Sequence, residues 1–195
     1  MPRGPFRVNA LRTLLIVSTL LGSWLGMQAV HELGHVAGAW ATGGRVARVV
    51  LHPRTISRTD LAENPHPLVV AWAGPLAGVA VPLLMWLLAK AARLPAEFVL
   101  RFFAGFCLIA NGAYIAIGSL AGIGDAGDLL RHGSPGWSLW LFGVLAIPAG
   151  LGLWHQQGRH FGFGPEPHGV RPAVAWTAAI ACALLLILGL LSGGR

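Results

Sequence analysis

Five stretches of predominantly apolar residues, each long enough to cross a bilayer as a helix, dominate this chain. A helical span needs about 20 such residues. The stretches run from about Ala10 to Ala41, Pro67 to Ala89, Phe98 to Leu120, Trp137 to Trp154 and Ala173 to Leu191. In lipid every backbone N–H and C=O has to be satisfied internally, so runs of this length and density read as helices. Composition agrees. The chain is 55% hydrophobic and 11% charged, against roughly 25% charged in soluble domains, and its mean hydropathy is +0.65. The expected fold is an all-α integral membrane protein with about five transmembrane helices, built as a single domain over residues 1–195. The first run is long for one span, so it is expected to tilt, to bend near Gly22 to Gly26, or to emerge from the membrane.

The net charge of +7 does not point to nucleic acid. The basic residues are scattered singly and flank the apolar runs: Arg3, Arg7 and Arg12 before the first, Lys90, Arg93 and Arg101 around a later gap. That is how charges anchor helices against headgroups. Trp137 and Trp154 bracket the fourth run as interfacial anchors do. Cys107 and Cys182 each sit inside an apolar run and read as small buried residues. The basic start followed by Leu14 to Val30 mimics a signal peptide. However, no A-x-A site precedes His31, and the apolar pattern continues through Trp40, so it reads as an uncleaved helix.

Between the first two spans, Gly43 to His66 is polar and basic, with a β-like run from Arg45 to Leu51. A short β-hairpin and a solvated loop are the two readings there. Segments Ala121 to Gly136 and Gln156 to Arg171 read as loops. With the amino terminus inside, the charge count favours that orientation only by eight basic residues to six.

Chemistry concentrates at His31-Glu32-Leu33-Gly34-His35. Histidines four apart on a helix share a face, one turn apart, and two such imidazoles bind one Zn²⁺ at about 2.0–2.1 Å. Glu32 is offset by one residue. It is suited to act as general base toward a water rather than to join the ligands. Ionisable residues in a membrane helix are costly and are functional candidates by default. A catalytic zinc takes three protein ligands and keeps a position open. The third comes from among His52, His66, Asp125, Asp128, His132, His155, His160 and His168. Asp125 and Asp128 follow Gly122-Ile123-Gly124, a glycine-hinged turn able to lift a carboxylate toward the first helix. Their other reading is the start of a helix, with Asp125 as N-cap and Asp128 favouring the dipole.

Three motifs occur in order: His31 to His35, Ala73-Gly74-Pro75-Leu76-Ala77-Gly78, and Gly124-Asp125-Ala126-Gly127-Asp128-Leu129-Leu130. Together they resemble the site-2 protease family of intramembrane zinc metallopeptidases, over about residues 10–131, with the last two spans (about 137–192) outside the resemblance. The resemblance implies that His31 and His35 are zinc ligands, that Glu32 is the catalytic base, and that Asp125 is the third ligand, with Asp128 as the fallback. Gly124 and Ala126 stand where the family has leucine and glycine, and the family's Asn-x-x-Pro lead-in is missing. Asn111, in the third span, reads either as an oxyanion or substrate contact or as an interhelical polar contact. Gly74 and Gly78 read as helix-packing residues. The family usually faces its active site to the cytosol, which opposes the charge count.

The expected function is hydrolysis of peptide bonds in a membrane-embedded or membrane-proximal protein by one Zn²⁺ per chain, in a multi-pass protein of a prokaryotic cell membrane. The expected partners are that substrate and the lipid bilayer, with no nucleic acid. The alternatives are a metal transporter or metal-binding protein, with His155, His160 and His168 as a relay, and a scaffold with a structural zinc.

Overall fold

The computed structural model describes residues 5–53, 56–163 and 169–193. Six helices and one hairpin follow in the order α1 (Pro5–Ala41), β1 (Arg45–Val50), β2 (Arg58–Glu63), α2 (Pro67–Ala91), α3 (Glu97–Ala121), α4 (Gly124–Arg131), α5 (Gly136–Trp154) and α6 (Pro172–Gly193), with a 3-10 turn at Gln157–Phe161. Among the described residues, five helices are long and apolar enough to cross a membrane: all but the eight-residue α4.

The first span is one unbroken helix of 37 residues, about 55 Å long at 1.5 Å per residue. Gly22 and Gly26 do not break it. They seat Cys182 of α6 and the Phe103 ring against α1. Further along, Gly34 and Gly38 form a small-residue stripe against α2. A Cβ on Gly34 would lie 2.5 Å from the Ala73 carbonyl oxygen and 2.6 Å from the Ala77 Cβ. Small residues let backbones approach where lipid gives no hydrophobic drive to association. Helix α1 stops at Thr42-Gly43-Gly44: Gly43 takes φ +76°, and the Gly44 N–H donates to the Ala39 carbonyl.

The segment after α1 is a hairpin rather than a solvated loop. Strands β1 and β2 pair antiparallel, with Arg45 opposite Glu63 and Val49 opposite Thr59, and with irregular register near Val46. Helix α3 packs against α5 through glycines on both. A Cβ on Gly150 would come within 2.7 Å of the Gly105 carbonyl, and one on Gly143 within 2.9 Å of the Gly112 carbonyl. Trp154 does not sit as a free interfacial anchor. Its indole stacks on Phe102 and donates to the Phe102 carbonyl, whereas Trp137 is exposed as expected. Segment 121–136, expected as a loop, contains α4. Leu129 and Ala126 of α4 are buried with Ile115, Ala71 and Leu139 in a core cluster.

Candidate metal centre

The amino-acid pattern of α1 places Gln28, His31, Glu32 and His35 along one stripe of its otherwise apolar carboxyl-terminal half. All four are buried. His31 and His35, one turn apart, meet edge to face with ring centroids 4.8 Å apart. Their Nε2 atoms are 3.1 Å apart.

Asp125 reaches them from the amino end of α4. Its Oδ2 lies 2.6 Å from His31 Nε2 and 3.3 Å from His35 Nε2. The glycine hinge makes this reach: Gly122 and Gly124 both take left-handed backbone, with φ of +62° and +55°. A Cβ on Gly124 would collide with the Tyr114 hydroxyl, which accepts the Asp125 backbone N–H at 3.3 Å. The capping reading of Asp125 does not hold. The N-cap of α4 is Ile123, with no side-chain cap, and Asp125 lies inside the first turn. Asp128 stays out of the centre, half exposed and paired with Arg131.

The remaining candidates also lie elsewhere. His66 caps α2 without a side-chain bond and is exposed, as are His132 and His155. His160 stacks on Phe98, and His52 lines a small cavity between α1 and α6. His168 lies outside the described residues. Among the described residues, His31, His35 and Asp125 are the one group of three His, Cys, Asp or Glu side chains placed to share a metal ion.

The protons in this centre are directed outward. Asn111 Nδ2 donates to the Cys107 carbonyl at 2.9 Å, which turns its Oδ1 toward His31. His31 Nδ1–H donates to that oxygen at 2.7 Å. His35 Nδ1–H donates to the Val70 carbonyl, an acceptor only, at 2.8 Å. With Nδ1 protonated, a neutral imidazole carries a lone pair on Nε2. Two such lone pairs and a carboxylate oxygen therefore converge on one point and need a cation between them. Burial works against ionising Asp125, but the bonds and charges of His31 and His35 outweigh it and hold the carboxyl below its usual range. Two imidazoles and a carboxylate are a zinc donor set, and around a tetrahedral ion at 2.0–2.1 Å neighbouring ligand atoms stand about 3.3 Å apart. The 3.1 and 3.3 Å edges fit that, while the 2.6 Å edge is shorter than such an ion would set.

Several contributors were not assigned from sequence. Asn111 is an interhelical contact, as the more conservative reading had it, and its target is a candidate ligand. Its Oδ1 and one of its two amide N–H groups are committed to His31 and Cys107. Gly74 and Gly78 seat side chains. A Cβ on Gly74 would overlap the His35 ring, and one on Gly78 would stand 2.7 Å from the Asn111 amide. Glu32 is held by the hairpin, through the Ser57 and Thr59 hydroxyls. The four-residue polar spacing of Gln28 and Glu32 was the visible signal for a polar neighbour there.

No curated protein and no solved structure gives a significant match to the chain. A protein-family model described as Peptidase M50B-like matches residues 10–122. That region holds His31, Glu32, His35, the hairpin, Gly74 and Asn111, and it stops just short of Asp125. The match covers more than half of the 195 residues, and the chain therefore belongs to this site-2 protease-like family of metallopeptidases.

Proposed function

We propose that this protein is an intramembrane zinc metalloprotease that hydrolyses peptide bonds of a membrane-embedded or membrane-proximal protein. The observation that carries the reading is the convergence of His31 Nε2, His35 Nε2 and Asp125 Oδ2, with both Nδ1 protons committed elsewhere, inside a bundle of membrane-spanning length. These three residues would hold one Zn²⁺ per chain. When bound, the ion supplies Lewis-acid polarisation of a carbonyl and lowers the pKa of water.

The chain's own residues supply the rest. Glu32 is the proton carrier. It accepts the proton of the attacking water and returns it to the leaving amine. Its buried position beside His31 keeps it next to the ligands without joining them. Asn111 and the Val70 carbonyl fix the tautomers of the two histidines, which keeps Nε2 available. The two-stranded hairpin offers outer edges on which an unwound substrate segment could add as a strand. The setting we assign is a multi-pass protein of a prokaryotic cell membrane, with the bilayer and its substrate as partners and no nucleic acid.

Two measurements on purified protein test this. Elemental analysis is expected to find one zinc per chain in wild type and in Asp128→Ala, and a loss in His35→Ala and Asp125→Ala. Zinc retained in Asp125→Ala would remove Asp125 from the ligand set. Glu32→Gln is expected to keep the zinc and lose roughly 10²–10⁴-fold in hydrolysis. Undiminished hydrolysis in that variant would sink the mechanism. Zinc bound by wild type without any hydrolysis would favour the metal-binding or scaffold reading.

A further inference from the structure

The hairpin meets α1 through a geometric match. Gln28 and Glu32 are one helical turn apart, about 6 Å along the axis. Residues two apart on extended chain point the same way and are about 6.6–6.8 Å apart. Ser57 and Thr59 are such a pair, at the entry to β2. The Ser57 N–H donates to Gln28 Oε1 at 2.9 Å. The Ser57 hydroxyl donates to Glu32 Oε1 at 2.9 Å, and the Thr59 hydroxyl donates to Glu32 Oε2 at 2.7 Å. Each carboxylate oxygen thus accepts one hydroxyl from the same strand. Two donors on two oxygens fix both the position and the plane of the carboxylate, which one donor would not do. An ionised carboxylate offers about four lone-pair directions, so accepting capacity remains for a water.

At the same end of the hairpin, the residues that follow β1 are tied to α6. The Ser192 hydroxyl oxygen lies 3.1 Å from the Leu51 carbonyl oxygen and 2.7 Å from that of Leu188 in its own helix. Gly189 leaves room for Pro53, whose Cδ would stand 3.4 Å from a Cβ placed there. Leu51 and Pro53 thus rest against α6 and Ser57 against α1, and α6 lies outside the residues matched by the family model.

We propose that Ser57 and Thr59 are positioning residues for Glu32: the hairpin sets the general base, while the metal ligands are set by α2 and α3. The proposal rests on the proteolytic reading above. It separates two sets of supports. His31 and His35 are held through Asn111 and Val70, neither of which touches the hairpin bonds to Glu32. Loss of a hairpin hydroxyl should therefore spare the metal and the substrate's affinity and act on turnover.

The test uses full-length protein co-reconstituted in liposomes with a library of quenched-fluorescent single-span peptides. Ser57→Ala and Thr59→Val are each expected to lower kcat about tenfold, with KM and zinc content within about twofold of wild type. Ser57→Thr and Thr59→Ser, which keep the hydroxyl, are expected to restore most of kcat. Hydrogen–deuterium exchange across residues 56–60 is the second readout, and it is expected to speed up in Glu32→Ala because the strand loses its anchor. Unchanged kcat in both hydroxyl-free variants would overturn the proposal, and so would parallel loss of zinc or a rise in KM alone. An inactive wild type would overturn the proteolytic reading. In that event faster exchange in Glu32→Ala would still uphold the hairpin's hold on Glu32, and unchanged exchange would overturn that as well.

Discussion

At the scale of single residues, the centre depends on atoms that are missing as much as on those present. The His35 ring occupies the space where a side chain at position 74 would be, and the Asn111 amide occupies that of position 78. Gly74→Ala should push the His35 ring off the point it shares with His31 and Asp125, and the purified variant is expected to lose its stoichiometric zinc. Gly78→Ala acts one step further out. It displaces the amide that holds the His31 proton, and the expected cost is about 10–100-fold in zinc affinity, as for loss of a partner that orients a metal ligand. Gly136→Ala is the control, because a Cβ there meets nothing within 4 Å. Chelator competition ranks the three variants, and equal affinity in all of them would remove the seating role. The sequence already displayed the histidines, Glu32 and the Gly74/Gly78 spacing, because helical periodicity exposes them. It did not display what the glycines seat. That depends on how closely α2 approaches α1 and α3, which no local pattern encodes. From residue types alone Asp125 was one of two aspartates, and only the family resemblance put it ahead of Asp128. The glycine hinge pointed to both, and what separates them is position along α4: Asp125, in the first turn, reaches the histidines, whereas Asp128, most of a turn further on, pairs with Arg131.

At the scale of elements, the five spans were readable because lipid leaves a long apolar run one backbone solution. The hairpin was half readable. Strand β1 carries Val46, Val49 and Val50, whereas β2 is Arg-Thr-Asp-Leu-Ala-Glu, with little intrinsic strand preference. Its form comes from pairing with β1 and from docking on Gln28 and Glu32, which are tertiary causes. Helix α5 illustrates another hidden element role. It lies beyond the matched residues, yet it packs glycine to glycine on α3, the helix that carries Asn111 and Tyr114. Gly143→Leu would drive four carbons into the Gly112 backbone and the Ala116 methyl. Overpacking of this kind costs roughly 1–3 kcal/mol. The expected result is a lower unfolding temperature in micelles together with weaker zinc binding, since α3 cannot shift without moving Asn111. Weaker stability with unchanged zinc affinity would show that α5 supports the fold alone.

At the scale of the whole molecule, connectivity assigns each feature to a face of the membrane. Helix α1 ends at the hairpin, α2 returns, and α3 comes back to deliver α4. The carboxyl end of α1, the hairpin and Asp125 therefore share one face. The contact of Ser192 with Leu51 brings the carboxyl end of α6 to the same face, which an odd number of spans requires. The opposite face holds the turn between α2 and α3 and the segment with the 3-10 turn, where Arg12 stacks on Phe163 and Arg101 donates to the His155 carbonyl. The basic residues, eight on one side and six on the other, are too evenly divided to fix which face is inside. The pairing of segments is independent of that choice. In a background with Cys107 and Cys182 replaced by Ala, single cysteines at Ile56 and His132 are expected to react with an impermeant maleimide from the same side of sealed vesicles. Cysteines at Leu94 and Arg159 are expected to react from the other side. Ile56, exposed at the hairpin, and His132, at the end of α4, come from segments about 75 residues apart along the chain. If they labelled from opposite sides, Asp125 would lie across the bilayer from the hairpin, and the metal centre described here would have no means of assembling.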